Sequence, residues 1–249
     1  MKYLVTGGAG FIGSNLVDYL CRLGHEVVVL DDLSSGKKEY LHPDAKFYKK
    51  DISLMRRESD FALFENVSVV FHLAAKAEVD PSIENPVSFH DVNINGTLNV
   101  LMACREKKVK RIVYSASSSC YGNPTEIPTT EKAEINPMSP YALQKLTGEE
   151  YCKLFSKLYD LESVCLRYFN VYGPRQRDKG AYSLVTGIFM RQHRNGQPLT
   201  ITGDGEQKRD FVSVHDVVEA NVLASESDKV GKGESINIGN GKAITINEL

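Results

Sequence analysis

The sequence predicts an α/β protein, a doubly wound parallel sheet followed by a smaller substrate-binding lobe. Three observations carry this. Short apolar runs alternate with stretches of helical periodicity through the first two thirds of the chain, the pattern of consecutive βαβ units. A glycine-rich turn, Thr6-Gly7-Gly8-Ala9-Gly10-Phe11-Ile12-Gly13-Ser14, joins the first run to the first helical stretch. The second run ends on a carboxylate, Asp31.

The first strand is Lys2–Thr6. Ile12, Leu16, Tyr19, Leu20 and Leu23 recur every third or fourth residue, which predicts a helix over Phe11–Leu23. The glycines therefore sit at a strand-to-helix turn. They fit two spacings, Gly8, Gly10, Gly13 and Gly7, Gly10, Gly13. The first N–H groups of the helix, at Phe11, Ile12 and Gly13, have no intrahelical partner and suit a pyrophosphate. Glycine is needed where backbone meets phosphate and where the helix packs on the strand. Glu26–Leu30 reads as a buried parallel strand. Asp31 at its end lies about 20 residues past the glycines, where a carboxylate accepts hydrogen bonds from both adenosine ribose hydroxyls. It would repel a 2′-phosphate, so NAD is favoured over NADP. Asp32 is counted with the cofactor residues, although it or Ser34 also suits a cap.

Further strands are predicted at Lys46–Lys50, Val67–His72, Arg111–Ser115 and Ser163–Arg167. Helices are predicted at Met55–Glu65, Val87–Lys107 and Tyr141–Tyr159. Parallel strands with right-handed crossovers bind ligands at their carboxyl ends, so the residues just after each strand are the ones to read for chemistry. Past Gly173-Pro174, glycine, proline and polar residues become frequent. The boundary is placed there, with residues 1–172 as the cofactor domain and 173–249 as the substrate lobe. Within the lobe, a helix over Val212–Ala224 and a strand over Ser235–Ile238 form a pair able to return to the main sheet. Thr245-Ile246-Asn247-Glu248 has the capping-box form that opens a helix. Only Leu249 follows, so the lobe is expected to be incomplete at its C-terminus.

Composition narrows the function. The chain has 249 residues and a formal net charge of −2. No basic cluster suggests nucleic acid, no apolar run approaches membrane-spanning length, and no signal peptide is visible. A cytoplasmic protein is expected. The five cysteines, Cys21, Cys104, Cys120, Cys152 and Cys165, form no C-x-x-C pair and read as reduced packing residues. The six histidines lack metal-ligand spacing, so no metal site is expected.

The chemistry gathers in two stretches. Tyr141-Ala142-Leu143-Gln144-Lys145 follows Pro140, which suits a helix start. Spacing of i and i+4 puts Tyr141 and Lys145 on one face. Free tyrosine, with a pKa near ~10, is a poor base at neutral pH. A nearby ammonium and an oxidised nicotinamide favour the phenolate. Tyr141 can then take a proton from a sugar hydroxyl while hydride leaves the same carbon. The second stretch, Ser115-Ala116-Ser117-Ser118-Ser119-Cys120-Tyr121-Gly122, follows another strand. Its serines are equally a hydroxyl-holding site and an ordinary serine-rich turn. Cys120 there reads as a packing residue.

Taken together, these motifs resemble the extended branch of the short-chain dehydrogenase/reductase superfamily, and within it the NAD-dependent nucleotide-sugar epimerases of the UDP-glucose 4-epimerase type. The matching residues are Thr6–Ser14, Asp31, Asp51-Ile52, His72-Leu73-Ala74-Ala75, Asn93–Thr97, Ser115–Gly122, Tyr141–Lys145, Leu166–Pro174 and Arg209-Asp210-Phe211. The resemblance implies a Rossmann-type sheet and bound NAD. It implies Ser117, Tyr141 and Lys145 as the catalytic group, with Lys145 also on the nicotinamide ribose. Asp51 and Ile52 would bracket the adenine. Leu73, Ala74 and Ala75 would line phosphates and ribose, and Tyr168 and Val171 would lie near the nicotinamide. Asn93 and Ser115 belong to the same cofactor set. Lys76 reaches cofactor phosphate or stays in solvent. Asn170 and Arg209 would hold the substrate diphosphate. The strand Leu199-Thr200-Ile201-Thr202 would meet the uracil, giving Thr200 and Thr202 as substrate residues.

One departure separates reactions. Related dehydratases carry Asp-Glu after the catalytic threonine, and related decarboxylases keep an acid there. This chain has Ser118 and Ser119. The expected reaction is UDP-hexose 4-epimerisation through a transient 4-keto sugar. A decarboxylase, dehydratase or reductase on the same scaffold is the alternative. A non-catalytic dinucleotide-sensing or RNA-associated protein is the reading from another class, opposed by the retained Tyr141/Lys145 pair. The family also implies a homodimer formed around Val87–Lys107 and Tyr141–Tyr159.

Overall fold

Tyr3 to Thr6 and Val27 to Leu30 are buried without alternation, as in strands covered on both faces. They lie in β1 (Lys2–Thr6) and β2 (Glu26–Asp31), joined by α1 (Phe11–Arg22). The computed structural model describes residues 1–177 and 184–249. It continues with β3 (Lys46–Lys49), α2 (Glu58–Phe61), β4 (Val69–His72), α3 (Val79–Glu84), α4 (Pro86–His90), a π-helical stretch Asp91–Gly96, and α5 (Thr97–Glu106). Then come β5 (Arg111–Ser117), α6 (Pro140–Leu158), β6 (Glu162–Tyr168) and β7 (Asn170–Tyr172). The last elements are α7 (Val185–Arg194), β8 (Lys208–Ser213), α8 (Val214–Glu226), β9 (Lys232–Ile238) and β10 (Ala243–Thr245).

Seven strands form one sheet in the order β3-β2-β1-β4-β5-β6-β9, and each neighbouring pair is parallel. The chain runs outward from β1 through β2 to β3, then crosses back to place β4 on the other side of β1. Strand order reverses there, and a crevice opens at the carboxyl ends. A second sheet, β10-β8-β7, pairs β7 with β8 in parallel and β10 with β8 antiparallel. Two apolar layers cover the main sheet. One joins Leu16, Val17 and Leu20 of α1 to Val217, Val218 and Val222 of α8. The other joins Val100, Leu101 and Cys104 of α5 to Cys152 and Phe155 of α6. None of the described helices is long and apolar enough to cross a membrane.

Four segments differ from the sequence reading. Met55–Glu65 is not one helix but the short α2, Glu58–Phe61, followed by a tighter turn at Ala62–Phe64. The Asp60 carboxylate accepts from the N–H groups of Arg56 and Arg57 at 3.4 and 3.2 Å, which starts the helix afresh at Glu58. The helix expected over Val87–Lys107 runs from Pro86 to Glu106 but carries the wider π turn over Asp91–Gly96. Val212 belongs to β8, and Ser213 caps α8 by accepting from the His215 N–H. Leu199–Thr202 forms no strand. Thr200 is exposed there and tied to Gln192 of α7 through both its N–H and its hydroxyl, at 3.1 and 2.8 Å. Thr202 is exposed as well. The reciprocal bonds of Thr245 and Glu248, at 2.8 and 3.1 Å, do form a capping box.

Candidate active site

The glycine turn and Asp31 meet at the carboxyl edge of β1 and β2. Gly7 has φ +70°, and a Cβ on Gly13 would lie 2.2 Å from the Gly7 carbonyl oxygen, so the helix start packs against the turn as only glycine permits. Gly10 is the N-cap of α1, and the first intrahelical bond runs from the Ser14 N–H to the Gly10 carbonyl at 3.0 Å. The N–H groups of Phe11, Ile12 and Gly13 precede it and are the donors a helix start offers to an anion. Asp31 is 7 % exposed. Its carboxylate accepts from the Ala9 N–H at 3.0 Å and the Leu33 N–H at 2.8 Å, which leaves acceptor capacity for two ribose hydroxyls. Burial raises its pKa against the pull of those two bonds. These residues fit a dinucleotide. Asp32 instead accepts from the Ser34 N–H and hydroxyl at 2.8 and 2.6 Å, which is the cap use.

The neighbouring loops are tied down. Asp51 caps the turn Ile52–Leu54 by accepting from the Ser53 N–H at 2.8 Å, and Ile52 is buried with its carbonyl on the Asn99 amide at 2.9 Å. The Leu73 N–H bonds the Thr6 carbonyl at 3.1 Å. Asn93 is 1 % exposed. Its carbonyl oxygen takes the Lys76 N–H at 2.9 Å, and its amide donates to the Lys76 carbonyl and the Gln144 side chain at 3.0 Å each. Its polar atoms are thus spent on holding the Ala75–Lys76 loop against α6. The Lys76 Nζ lies over the Phe89 ring at 5.5 Å.

A buried relay runs beneath this loop. The Thr97 hydroxyl donates to the Asn93 carbonyl at 2.7 Å, so it faces His72 Nε2, 2.9 Å away, with a lone pair. Nε2 therefore carries the proton, and Nδ1 accepts from the Thr6 hydroxyl at 2.7 Å. The Ala74 N–H completes the chain on Thr6 Oγ1 at 3.2 Å. Burial, and after it the Lys145 charge, lowers the His72 pKa to about 3, so the ring is neutral.

Tyr141 and Lys145 open α6, which Ser139 caps by accepting from the Ala142 N–H. The Tyr141 N–H donates to Ser82 Oγ of α3 at 3.1 Å. Ser117, the residue that ends β5, lies near the Tyr141 hydroxyl and favours its ionised form. Ser117 Oγ accepts from the Ser119 hydroxyl at 2.8 Å. The structure therefore brings Ser117, Tyr141 and Lys145 to one edge of the sheet. Tyr141 departs from the sequence expectation in one respect. Burial pushes its pKa up, outweighing the influence of Ser117, and Glu78 adds to the rise. The Lys145 Nζ lies over the ring of Tyr114, 4.5 Å from its centroid, and burial pushes the Lys145 pKa down to about 8. Burial likewise raises the Cys120 thiol to about 11, as suits a packing residue.

The remaining expected residues fall into two groups. Ser115 Oγ and the Tyr168 hydroxyl bond each other at 3.0 Å, and the Asn221 amide closes the set. Val171 is buried in β7. Asn170, on β7, donates to the Asp210 carbonyl at 2.9 Å, and Arg209 is exposed on the adjacent β8. Asn170 and Arg209 therefore stand on paired strands, while Thr200 and Thr202 lie apart in an exposed loop.

Sequence reasoning missed a buried ion pair. Arg167 donates to both carboxylate oxygens of Glu149, at 2.9 and 2.6 Å, and to the Tyr121 hydroxyl at 2.7 Å. Lys153 and Ser235 also donate to Glu149, at 2.8 and 2.6 Å. The signal was present, since Glu149 continues the four-residue row of Tyr141 and Lys145. Glu78, paired with Arg177 across the loops after β4 and β7, was missed too.

Comparison with known proteins gives the family. The family model described as "NAD dependent epimerase/dehydratase family" matches residues 3–239. A putative UDP-glucose 4-epimerase of Methanocaldococcus jannaschii is 44% identical over 99% of this chain and 79% of its own length. The crystal structure of UDP-glucose 4-epimerase from Thermotoga maritima with UDP-glucose superposes with a TM-score of 0.94 at 42% identity, covering 99% of this chain and 79% of that one. A UDP-N-acetylglucosamine 4-epimerase from Methanobrevibacter ruminantium, in complex with UDP-N-acetylmuramic acid, gives 0.93 at 40% identity over the same shares. The chain belongs to the NAD-dependent epimerase/dehydratase family, and NAD is its cofactor.

Proposed function

We propose that the protein is a UDP-hexose 4-epimerase. The observation that carries this is the gathering of Ser117, Tyr141 and a buried Lys145 at one edge of the sheet, with Ser118 and Ser119 where a dehydratase or decarboxylase would need an acid. Bound NAD would supply reversible hydride chemistry at the sugar carbon. The chain's residues do the rest. The glycine turn and the first N–H groups of α1 hold the pyrophosphate, and Asp31 takes the adenosine ribose hydroxyls. Asp51, Ile52 and Leu73 to Lys76 line the remaining cofactor surface. Asn170 and Arg209 hold the substrate diphosphate, as charge and paired strands favour. Ser117 holds the C4 hydroxyl, and Tyr141 takes its proton and later returns it. The Lys145 ammonium, with the nicotinamide charge, offsets the burial that keeps Tyr141 protonated. The 4-keto sugar turns in the site and receives hydride on its other face. On this reading residues 1–172 carry the cofactor together with Ser117, Tyr141 and Asn170, residues 173–249 add Arg209, and β9 returns to the main sheet.

Proton NMR of UDP-galactose, UDP-N-acetylgalactosamine and UDP-galacturonate with the enzyme tests this and ranks the substrates. The C4 epimer should appear at unchanged mass. Tyr141→Phe should cut turnover by roughly 10²–10⁴-fold while NAD, released by denaturation and counted, stays bound. Near-full turnover in that variant would remove Tyr141 from the mechanism. The exposed apolar side chains Val87, Met138, Leu143, Leu154 and Leu158, on and beside α4 and α6, favour pairing of two copies through these helices. Sedimentation at several concentrations checks it, and a strict monomer would refute it.

A further inference from the structure

We propose that Tyr114 is a positioning residue whose ring face seats the Lys145 ammonium and whose hydroxyl sets how closely α6 approaches the sheet. The proposal rests on the reading of Lys145 as the cationic partner of Tyr141. Tyr114 is 1 % exposed in the middle of β5. The Lys145 Nζ stands 4.5 Å from its ring centroid, a distance at which the ring quadrupole attracts a desolvated cation. The Tyr114 hydroxyl donates to the Lys145 carbonyl at 3.3 Å. It also lies under Gly148, where an added Cβ would come 2.3 Å from the hydroxyl oxygen and 2.7 Å from Cζ. One side chain thus touches α6 at the ammonium, at the carbonyl of the same residue, and one turn on.

The other groups around Lys145 offer no competing seat. His72 of β4 is neutral, its ring 5.6 Å from that of Tyr114. Cys165 of β6 and Cys104 of α5 have thiol pKa values raised by burial. On α6 itself, Tyr141 is held protonated by burial, Cys152 is buried, and Glu149 is committed to Arg167, Lys153 and Ser235. The ring face of Tyr114 is the electron-rich surface seen against the ammonium.

Two measurements test the seat without relying on turnover. The first is melting temperature. Gly148→Ala should lose roughly 5 °C, the size expected for overpacking in a chain of this length. Tyr114→Phe, which deletes the nearer clashing atom but keeps Cζ at 2.7 Å, should recover part of the loss in the double variant. The second is the titration of Lys145, followed by NMR of protein carrying lysine labelled at the ε-carbon and assigned through Lys145→Met. Tyr114→Phe should leave that titration close to the wild-type value. Tyr114→Leu should lower it by about one unit, a tenfold change in acidity. Should Tyr114→Leu not fold, progressive fluorination of a phenylalanine at 114 weakens the ring face at nearly constant shape and should lower the titration stepwise. A Gly148→Ala loss that Tyr114→Phe does not recover, or a Lys145 titration indifferent to the ring, would overturn the proposal. Sugar turnover assayed alongside separates the two readings. The expected shifts without epimerisation keep the seat and dismiss the epimerase. Epimerisation with no shift does the reverse.

Discussion

Lys145 and Arg167 are both 4 % exposed, and the protein treats them in opposite ways. Arg167 is clasped by both oxygens of Glu149 and by Tyr121. Burial works against its charge, but these bonds more than offset it and push its pKa up. Lys145 forms no ion pair among the described residues, burial pushes its pKa down to about 8, and its Nζ rests on an aromatic face. Equal burial therefore says nothing about role. The paired cation is structural: with Glu149 it ties α6 to β6, and through Ser235 to β9. The cation left without a carboxylate lies one turn along α6 from Tyr141, where the proposed mechanism calls for a positive charge. Perturbed groups of this kind mark functional sites because the fold has left their burial cost uncompensated.

The comparison breaks most visibly at Glu149. Burial alone would raise its pKa, yet bonds from Arg167, Lys153 and Ser235 hold it below the usual carboxylate value. Glu149→Ala removes the partner and leaves Arg167 as an unpaired buried cation. The expected cost is about 3–5 kcal/mol, or ~10 °C in melting temperature, with Glu149→Gln losing less. Denaturant unfolding measures it. If Glu149→Ala were as stable as the wild type, Arg167 would be no better compensated than Lys145, and the distinction would collapse.

A smaller effect tests Lys145 itself. Its folded pKa, about 8, lies below the unfolded value of ~10.4. Between those values the unfolded chain binds more protons, so this group makes stability rise with pH. Below about pH 8 both states are protonated and the burial cost is felt in full. Across the window the wild type should gain ~3 kcal/mol relative to Lys145→Met. The observable is the difference between their unfolding free energies as a function of pH, since other groups titrate in both. Parallel pH profiles would mean that Lys145 is solvated in the folded state.

Much of this arrangement was legible in the sequence, for reasons tied to particular residues. The glycine turn, Asp31 and the Tyr141/Lys145 spacing are local patterns with one geometric consequence each, and β1, α1, β2 and α6 fall where they predict. Strands β1, β2 and β4 were readable because both of their faces are buried and largely apolar. Three things were hidden because they depend on contacts distant in sequence. Arg167 reads as an interruption of an apolar strand until Glu149, eighteen residues earlier, is seen against it. Glu78 reads as solvent-facing until Arg177 meets it from the loop after β7. Tyr114 reads as core until Gly148 is placed over its hydroxyl. The π turn at Asp91–Gly96 was hidden for another cause. Its helical periodicity is normal to the eye, and it is marked only by which carbonyls its hydrogen bonds reach. The substrate lobe was least readable, since Thr200 and Thr202 were placed on a strand that does not form.

His72 supplies the finest test, because it is a third buried base, treated in a third way. It is 1 % exposed and kept neutral. Each ring nitrogen has one hydroxyl partner, Thr6 on one side and Thr97 on the other. Thr97→Val keeps the shape but removes the acceptor for the Nε2 proton, leaving a buried donor unsatisfied at a cost of about 1–3 kcal/mol. Thr97→Ser should return most of it, because the hydroxyl and its bond to the Asn93 carbonyl are restored. The ring's resonances should also report the change, since the Nε2–H tautomer is held by Thr97 and not by charge. Nitrogen NMR of the histidine ring distinguishes the tautomers directly. A wild-type ring protonated on Nδ1 would reverse the direction of the relay and with it the roles of Thr6 and Thr97. An Nε2–H ring whose energetics ignore Thr97 would show that burial alone keeps His72 neutral, as burial alone keeps Lys145 close to losing its charge.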